Sequence, residues 1–373
     1  MDALMLPLNW QRVRLGDIGK PCMCKRVMKH QTTRYGEIPF YKIGTFGNTA
    51  DAFISKKLFL EYKTKYSFPK KGDILISASG TIGRAVIYDG KPAYFQDSNI
   101  VWIDNDETLV KNDFLFYAYS NVKWNTEHTT ILRLYNDNFR NTLIPLPPLN
   151  EQNAIANILS GLDRYLYALD ALILKKEGVK KALSFELLSQ RKRLKGFNQA
   201  WQRVRLGDIA NYLTSNLSVE QITQQGKIKV YDVNNFIGYT DTTFISDKPY
   251  ISIVKDGSVG RVRILPPKTN ILSTMGALIA NHRTTTEFLF YLLSNFDFKN
   301  FTSGSIIPHI YFKDYKEKTI FLPPLNEQNA IANILSALDN EIASLKNKKR
   351  QFENIKKALN HDLMSAKIRV LKK

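Results

Sequence analysis

With 373 residues, of which 44% are hydrophobic, the chain is long enough for two or three domains. It contains no apolar run long enough to span a bilayer, and its first ten residues lack the charged start and cleavage site of a secretion signal, so a cytoplasmic protein is expected. The net charge of +19 favours a polyanionic partner such as nucleic acid.

Two segments of the chain occur twice. The nine residues Trp10–Ile18 (WQRVRLGDI), which we call the opening segment, return at Trp201–Ile209. The fifteen residues Leu146–Ser160 (LPPLNEQNAIANILS), which we call the exit segment, return at Leu322–Ser336. Identity of this length indicates an internal duplication.

The cysteines, Cys22 and Cys24, follow the first opening segment. They are too close in sequence to form a disulfide that stabilises the fold, which indicates a reducing compartment. Together with His30 they would be one ligand short of a tetrahedral zinc site, and the second copy has no cysteine. A structural role is therefore predicted for both thiols, and no metal.

After each opening segment the sequence is rich in strand signals. These signals occur at Glu37–Ile43, Asp73–Ser77, Ala85–Tyr88 and Asn99–Ile103 in the first copy, and at Lys227–Val233, Tyr250–Val254 and Leu278–Ala280 in the second. A glycine turn of the pattern G-[ST]-[IV]-G-R lies among them, at Gly80–Arg84 and Gly257–Arg261. Such glycines close a tight turn between strands or cradle a phosphate, and the tight turn is favoured.

Later in each copy, the FLFY of Phe114–Tyr117 and of Phe288–Tyr291 predicts a short buried helix. Ile131–Arg140 then aligns with Ile307–Lys316. The two copies agree in the segments named so far and differ in the sequence between these segments. This pattern indicates a common scaffold whose loops have diverged.

Each exit segment leads into a long helix. Asn150 and Asn326 are expected to be the N-caps, and Glu151 and Glu327 to place negative charge in the first turn. Apolar residues then recur at alternating steps of three and four, which predicts the heptad seam of a coiled coil. The predicted seams are Ile155, Ile158, Leu162, Tyr165, Leu169, Leu172, Lys176, Val179 and Leu183, and Ile331, Ile334, Leu338, Glu341, Leu345, Lys348, Phe352, Ile355 and Leu359; they are widened by Leu159, Leu166, Ile173, Leu335 and Ile342.

The order of these segments predicts the fold class. If the two seams face each other, the helices lie antiparallel, although the charges within the seams leave room for another protein as the partner of each helix. We predict an α+β fold with two pseudo-symmetric β-rich domains, 1–149 and 193–325, separated by two long antiparallel helices in 150–192 and 326–373. Each β-rich domain has a net charge of +6, which suits an extended ligand contacted at two places.

The sequence shows no catalytic motif. It has no P-loop, no G-x-S-x-G elbow, no amino-methyltransferase signature and no glycine-rich cofactor loop, and its histidines do not recur at matching places. A duplicated enzyme is expected to repeat its reactive residues. We therefore predict a protein that is not an enzyme and that uses no cofactor.

The chain resembles the specificity subunits of type I restriction–modification systems over almost its whole length. The resemblance is carried by the opening segments, by the strand and turn DILIS…GTIGR, and above all by the PPL-x-EQ-x-x-I junction within the exit segments. It implies two target-recognition domains, each binding half of a bipartite double-stranded DNA site. It also implies that the helices set the half-site spacing and dock two modification (methyltransferase) subunits, with restriction subunits joining through the complex. Methylation and cleavage would belong to those partners.

DNA-reading residues are expected where the two copies differ, because base edges give sequence choice and phosphates give affinity. In the first copy the candidates lie in Cys24–Arg34 and after the first strand: Lys25, Arg26, Lys29, Gln31, Arg34 and Lys42. In the second copy the corresponding places hold Thr214, Ser215, Asn216, Asn234 and Asn235. Arg84 and Arg261 end the two glycine turns and are expected to contact the DNA backbone.

Two other functions are considered. A coiled-coil adaptor joining two protein-binding domains would carry the same helices, with an incidental positive charge, and retention on duplex DNA at moderate salt separates it from a DNA-binding protein. A nuclease would need a metal-binding acid cluster, which the sequence does not show.

Overall fold

The computed structural model describes residues 7–128, 132–304 and 306–370. The chain divides into two compact units, one formed by Met1–Leu169 with Lys348–Lys373 and the other by Asp170–Asn347. Each unit contains an opening segment, an exit segment and a β-rich region. Within the described part of the chain, no helix is long and apolar enough to cross a membrane.

The first unit contains two central sheets and several short helices. Its strands are β1 (Gln11–Arg14), β2 (Gly19–Met23), β3 (Ile38–Tyr41), β4 (Phe53–Ile54), β5 (Ile74–Ser77), β6 (Ala85–Ile87), β7 (Tyr94–Phe95), β8 (Ile100–Asn105), β9 (Glu127–His128), β10 (Leu132–Arg133) and β11 (Leu143–Leu146). Its helices are α1 (Leu15–Ile18), α2 (Lys56–Lys65), α3 (Asn112–Tyr119), α4 (Asn136–Arg140) and the first part of α5 (Leu149–Leu188). One sheet has the antiparallel order β2-β8-β5-β6, and the other has the order β4-β3-β7 with β3 and β7 parallel.

The second unit repeats this topology. Its strands are β12 (Gln202–Arg205), β13 (Ala210–Thr214), β14 (Ile228–Tyr231), β15 (Phe236–Thr240), β16 (Tyr250–Val254), β17 (Val262–Leu265), β18 (Asn270–Ile271), β19 (Met275–Ala280) and β20 (Thr319–Leu322), and its helices are α6 (Thr286–Ser294), α7 (Phe312–Tyr315) and most of α8 (Leu325–Met364). The sheet orders β13-β19-β16-β17 and β15-β14-β18 correspond strand for strand to those of the first unit. The opening and exit segments pair as β1 with β11 and as β12 with β20.

The central strands are buried on both faces, which explains their continuous apolar runs. Along β5, Ile74 and Ile76 lie in a core that includes Leu159 of α5, whereas Leu75 lies in a second core that includes Tyr94. Alternate residues of a strand point to opposite faces, so one strand supplies both cores. Strand β16 divides its side chains between two cores in the same way.

The first unit carries a helix that the second lacks. Helix α2 follows β4, and its N-cap Ser55 accepts a hydrogen bond from the Leu58 amide at 3.2 Å. Only Phe59 of this helix is buried, so the apolar pattern in the sequence was too weak to predict it. In the second unit the chain passes from β15 to β16 without a helix.

Both long helices begin earlier than predicted. Helix α5 starts at Leu149, and the Pro148 carbonyl accepts from the amides of Glu151 and Gln152 at 2.9 Å. Pro148 is therefore the N-cap and Asn150 lies within the first turn, so the predicted N-cap was wrong by two residues, as was that of Asn326 in α8. A proline carbonyl can start the helix because it accepts the first intrahelical bond.

Within the first unit, α5 and α8 run antiparallel. Asp163 forms an ion pair with Lys356, and the rings of Tyr165 and Phe352 lie with their centroids 4.7 Å apart. Residue numbers therefore rise along one helix as they fall along the other.

Within the second unit the same two helices are also antiparallel. Lys176 pairs with Glu341 at 2.7 Å, and Lys180 pairs with Asp339. Because Lys176 and Glu341 satisfy each other, the charges predicted in the seam support pairing of the two helices.

Four apolar positions of the predicted seam are wrong. Among the predicted set, Ile158, Leu172 and Val179 of α5 and Ile355 of α8 are exposed by 38–50%. Residues one position later face the partner helix or the core instead. The observed inward stripes are Ile155, Leu159, Leu162, Leu166, Leu169, Ile173, Lys176, Lys180, Ser184 and Leu187 in α5, and Ile331, Leu335, Leu338, Ile342, Leu345, Lys349, Phe352, Lys356, Asn360 and Leu363 in α8. The two stripes are related by the same offset of 176 as the exit segments.

A buried carboxylate anchors the first exit segment. Glu151 is 2% exposed and accepts hydrogen bonds from the Trp10 indole at 3.0 Å and from the Arg369 guanidinium at 2.7 and 3.0 Å. The sequence predicted only a helix-dipole charge at this position. The carboxylate instead joins the opening segment, the exit segment and the residues that follow α8.

The second unit has the same arrangement. Glu327 is fully buried and accepts from Trp201 at 3.0 Å and from Arg193 at 2.6 and 3.1 Å. Arg193 follows α5 as Arg369 follows α8, again at an offset of 176. We call each tryptophan–glutamate–arginine group a carboxylate clamp.

The neighbouring glutamine fixes the start of each helix. The amide nitrogen of Gln152 donates to the carbonyls of Leu109 and Pro147 at 3.0 and 2.8 Å, and its oxygen accepts from the Lys111 amide at 2.8 Å. Gln328 makes the corresponding contacts in the second unit. The repeated E-Q pair is therefore a structural junction between the β-rich region and the helix.

Candidate nucleic-acid interface

Two loops that hold most of the first unit's predicted site residues meet at the end of β7. We call them the first loop (residues 24–34) and the second loop (42–48). Arg26 of the first loop pairs with Asp97 at 2.8 Å, and the amide of Ile43 in the second loop donates to the Gln96 side chain at 2.9 Å. Since residues 96 and 97 directly follow β7, one strand end holds both loops.

The second unit fixes its equivalent loops through the segment after β18 and through β17. Its first loop (214–218) is held by the Ser273 amide, which donates to the Leu217 carbonyl at 2.9 Å just beyond β18. Its second loop (232–235) is held by Arg263, which donates to the Asn234 carbonyl at 2.9 Å. Arg263 lies in β17, directly after the glycine turn.

The glycine turns adopt the conformation of tight turns. Gly83 and Gly260 have φ values of +82° and +79°, and a Cβ atom there would lie 2.0 Å from Trp124 and 2.6 Å from Phe298. Only glycine fits both the backbone and the packed ring. Their amides donate to carbonyls of the preceding strands at 2.9 and 3.0 Å, so these amides are not available to a phosphate.

Arg84 and Arg261 occupy equivalent places at the ends of the turns. Each carbonyl accepts from the preceding strand at 3.0 Å, and both side chains are exposed. In the first unit, a Cβ on Gly47 would lie 3.3 Å from the Arg84 guanidinium, which places this arginine against the second loop. Neither arginine has an ion-pair partner among the described residues.

Three predicted cations of the first loop are exposed and free of acidic partners within the described ranges. Lys25 lies 5.1 Å from the Tyr66 ring centroid, Arg34 lies 5.8 Å from that of Tyr35, and Lys29 sits in a one-turn 3-10 helix. Cations in such positions can contact phosphate without first breaking an ion pair.

Two other predicted cations are paired. Arg26 is 66% exposed while bound to Asp97, and Lys42 binds Asp51 at 2.8 Å with both groups exposed. Exposed ion pairs contribute little to stability, so either cation can exchange its carboxylate for a phosphate.

The amide of Gln31 is already engaged. Its oxygen accepts from the Met28 amide at 2.8 Å, and its nitrogen donates to the Tyr62 hydroxyl of α2 at 3.3 Å. Gln31 therefore joins the first loop to α2. This helix brings the exposed side chains of Lys56, Lys57, Lys63 and Lys65 close to the loop, a basic surface that the sequence did not indicate.

The polar residues predicted to read DNA in the second unit differ in solvent exposure. Thr214 and Asn216 are exposed and line a groove of about 380 Å³, whereas Ser215 is 8% exposed and accepts from the Leu217 amide. The prediction of Ser215 as a DNA-reading group therefore does not fit its position, because its hydroxyl stabilises the loop. Asn234 and Asn235 are exposed, and their backbone amides donate to the Asp232 carboxylate at 2.8 and 2.7 Å.

The cysteines do not form a reactive site. Cys22 and Cys24 are both free, and burial raises the pKa of the Cys24 thiol to about 12. Across residues 7–128, 132–304 and 306–370, no group of three or more His, Cys, Asp or Glu side chains is placed to hold a metal ion. Both thiols thus act as core packing groups.

The chain matches the model of the type I restriction modification DNA specificity domain twice, over residues 7–176 and 198–354. A protein of Haemophilus influenzae described as a type I restriction enzyme specificity subunit is 64% identical over 148 residues, which cover 39% of this chain and 38% of that protein. The MjaVIII specificity subunit of Methanocaldococcus jannaschii is 25% identical, with 99% of this chain and 95% of that protein covered.

A solved structure shows the same fold. The S subunit of the type I restriction-modification system from M. genitalium is 20% identical and superposes with a TM-score of 0.63, covering 96% of this chain and 98% of that one. The two β-rich regions with a long helix between them are thus confirmed as the architecture. The chain therefore belongs to the type I restriction modification DNA specificity family, in which it is a recognition subunit and not an enzyme.

Proposed function

We propose that each β-rich unit binds one half of a bipartite double-stranded DNA site through its two loops and its glycine turn. The observation that carries this proposal is that an arginine at or just after the glycine turn contacts the second loop in both units, while the first and second loops differ in sequence between the units. Under this proposal residues 1–149 and 193–325 are the target-recognition domains, and 150–192 and 326–373 are the spacer helices.

The two units would read DNA with different chemistry. The first unit presents the free cations Lys25, Lys29 and Arg34, and the second presents the amides and hydroxyl of Asn216, Asn234, Asn235 and Thr214. Asparagine and arginine can make two hydrogen bonds to adenine and guanine edges, whereas lysine mainly supplies phosphate contacts. Arg84 and Arg261, at equivalent positions, suit phosphates in both half-sites.

We further propose that two modification subunits dock on the helices and that restriction subunits join through that complex. The apolar residues that turned out to lie outside the buried stripe support this docking. Tyr167 and Leu174 are 78% and 71% exposed, and Ile158 and Val179 are 39% and 45% exposed. Apolar side chains in rows along an exposed helix mark a protein-binding surface.

The isolated protein is expected to bind duplex DNA with a steep salt dependence. Phosphate neutralisation releases counterions, so the logarithm of the affinity should fall linearly with the logarithm of salt concentration. Lys29→Ala and Arg84→Ala should each lower the slope by about one, because each removes one phosphate contact. A fluorescence-anisotropy titration at several salt concentrations measures both effects.

Lys20→Ala is the matched control. Lys20 is exposed and lies at the start of β2, at the other end of the strand that leads into the first loop. It should leave the slope unchanged. A flat salt response of the unmodified protein would contradict DNA binding, and an equal effect of Lys20→Ala would contradict the assignment of the loops.

A further inference from the structure

A cleft is present at the same place in each unit. In the first unit it lies where the end of α3 meets α8, with a volume of about 890 Å³, and it is lined by Tyr117, Ser120, Asn121, Lys356, Lys357 and Asn360. In the second unit it lies where the end of α6 meets α5, with a volume of about 350 Å³, and it is lined by Tyr291, Ser294, Asn295, Lys180, Lys181 and Ser184. All but the last residue of each set are identical between the clefts.

Two side chains that line the first cleft, Tyr117 and Lys356, bind one carboxylate, that of Asp163, and we call these three side chains the wall of the cleft. The Tyr117 hydroxyl donates to Asp163 at 2.7 Å, and Lys356 pairs with the same carboxylate while its ammonium lies 5.5 Å from the tyrosine ring centroid. Burial, together with the bond to Asp163, raises the pKa of Tyr117, so the hydroxyl keeps the proton that it donates. The aspartate is therefore fully satisfied.

The second cleft repeats this wall. Tyr291 donates to Asp339 at 2.9 Å, and Lys180 pairs with Asp339 while lying 5.7 Å from the ring centroid. In both units the residue that follows the wall lysine in the helix is a second lysine, Lys357 or Lys181.

Each cleft is also lined by a glutamate, but Glu353 pairs with Lys349 and Glu177 pairs with Lys346. The lysine that follows the wall has no such partner in the described part of either cleft. Lys357 and Lys181 are exposed, and neither forms an ion pair with any described residue. In the first cleft, Asn360 is 9% exposed and donates to Ser120 at 2.6 Å, but its buried Oδ1 atom has no hydrogen-bond partner. Buried acceptors are normally satisfied, so this atom points to a missing donor.

We propose that each cleft receives an acidic side chain of one modification subunit, with Lys357 or Lys181 as its ion-pair partner. The inference rests on the docking of two such subunits in the proposed function, and it assigns the surface and the charge chemistry of that docking. In the first cleft, an N–H of the same segment would satisfy Asn360.

The internal duplication supports this choice of occupant. The loops that would contact two different DNA half-sites differ between the units, whereas the clefts have kept Tyr, Asp, Ser, Asn and two lysines in equivalent places. Equivalent residues kept at the same place in two diverged units are best explained by two copies of one partner. The free lysine in each cleft makes an acidic group the complementary one.

The test uses the full chain and its modification subunit, with native mass spectrometry to count bound subunits. The unmodified protein should bind two. Lys181→Glu and Lys357→Glu should each weaken one site about a hundredfold or more, since a like charge would then face the acidic group. Each single variant should therefore bind one subunit at concentrations that saturate the unmodified protein, and the double variant should bind none.

Matched controls separate an effect of the reversed charge in the clefts from a general loss of folding. Lys91→Glu and Lys268→Glu change exposed lysines between β6 and β7 and between the equivalent β17 and β18, away from the long helices, and should leave two subunits bound. Lys181→Arg and Lys357→Arg should also retain both. DNA affinity of the isolated variants should stay unchanged, which shows that they are folded.

Two bound subunits in the double charge-reversal variant would overturn the assignment of the clefts while leaving the proposed function intact. Loss of binding in the control variants as well would equally overturn it, because the effect would then not belong to the clefts. No bound subunit in the unmodified protein would instead contradict the docking proposal itself.

Discussion

Replacing Gly19–Leu143 with a copy of Ala210–Thr319 is expected to convert the DNA target into an inverted repeat of the second half-site. The replaced segment carries both loops and the glycine turn of the first unit, so every proposed DNA contact would then come from the second unit's sequence. The original half-site of the first unit should be lost completely.

The inverted order follows from the helix pairs. Asp163 of α5 pairs with Lys356 of α8, and the equivalent Asp339 of α8 pairs with Lys180 of α5. Helix α5 therefore supplies the aspartate in the first unit and the lysine in the second, and α8 supplies the other partner each time. We expect the units to meet DNA in opposite directions, as in symmetric dimers bound to palindromic sites.

The chimera should fold because its edges are equivalent in structure. The amide of Leu15 binds the Thr142 carbonyl at 2.9 Å, and the amide of Leu206 binds that of Lys318 at 3.0 Å. Gly19 would not accept a lone change to alanine, since a Cβ there would lie 2.5 Å from the Asp104 carbonyl. In the chimera Ala210 takes the place of Gly19 together with β19, the strand with which it pairs in the second unit.

Sequencing of the methylated sites made by the chimera with its modification subunits measures the outcome. The reverse chimera, with Ala210–Thr319 replaced by Gly19–Leu143, is the matched control and should give an inverted repeat of the first half-site. Recovery of the original asymmetric site, or of a direct repeat, would contradict the symmetry argument.

Removing the carboxylate of either clamp is expected to cause the largest loss of stability. Glu327→Ala should lower the free energy of unfolding of the second unit by about 3 kcal/mol, because it leaves the buried Trp201 indole without an acceptor and Arg193 without its partner. Glu151→Ala should cost the first unit a similar amount. Urea denaturation followed by tryptophan fluorescence measures the change.

Two variants calibrate this expectation. Glu327→Gln should cost only about 1 kcal/mol, since the amide oxygen still accepts from the indole. Glu177→Ala removes an exposed ion pair with Lys346 and should cost less than about 1 kcal/mol. Equal losses for Glu327→Ala and Glu177→Ala would show that the clamp is no stronger than a surface pair.

Much of the scaffold could be predicted from the sequence, because the local pattern of apolar residues there matches the burial of each element in the fold. The strands around Asp73–Ser77 and Tyr250–Val254 carry continuous apolar runs, and the structure buries both faces of β5 and β16. The FLFY motifs form the buried helices α3 and α6 as expected. In these elements, side-chain periodicity determines burial without help from distant residues.

The inward face of the long helices was harder to predict, because two apolar stripes fit the same sequence. Ile158 and Leu159 are both apolar, and periodicity cannot decide which faces inward. The choice is made by Lys180 and Lys356, charged residues that lie inward because Asp339 and Asp163 neutralise them. The predicted seam followed the apolar residues at steps of three and four and so took Ile158, Leu172 and Val179 instead.

The carboxylate clamps were missed for a related reason. Burial of Glu151 depends on Trp10 and Arg369, which are far away in sequence. A usable signal was present, since Arg193 and Arg369 follow the two exit segments at the same offset of 176. Helix α2 gave no such signal, because it has no counterpart in the other copy.

The glutamine junction has a consequence for how such a chain can change over generations. Gln152 holds the β-rich region only through main-chain atoms, the carbonyls of Leu109 and Pro147 and the amide of Lys111. Gln328 does the same apart from one threonine hydroxyl. Main-chain groups are the same whatever side chains surround them, so substitutions in the loops leave this attachment intact. New binding preferences can therefore arise by drift without loss of the fold.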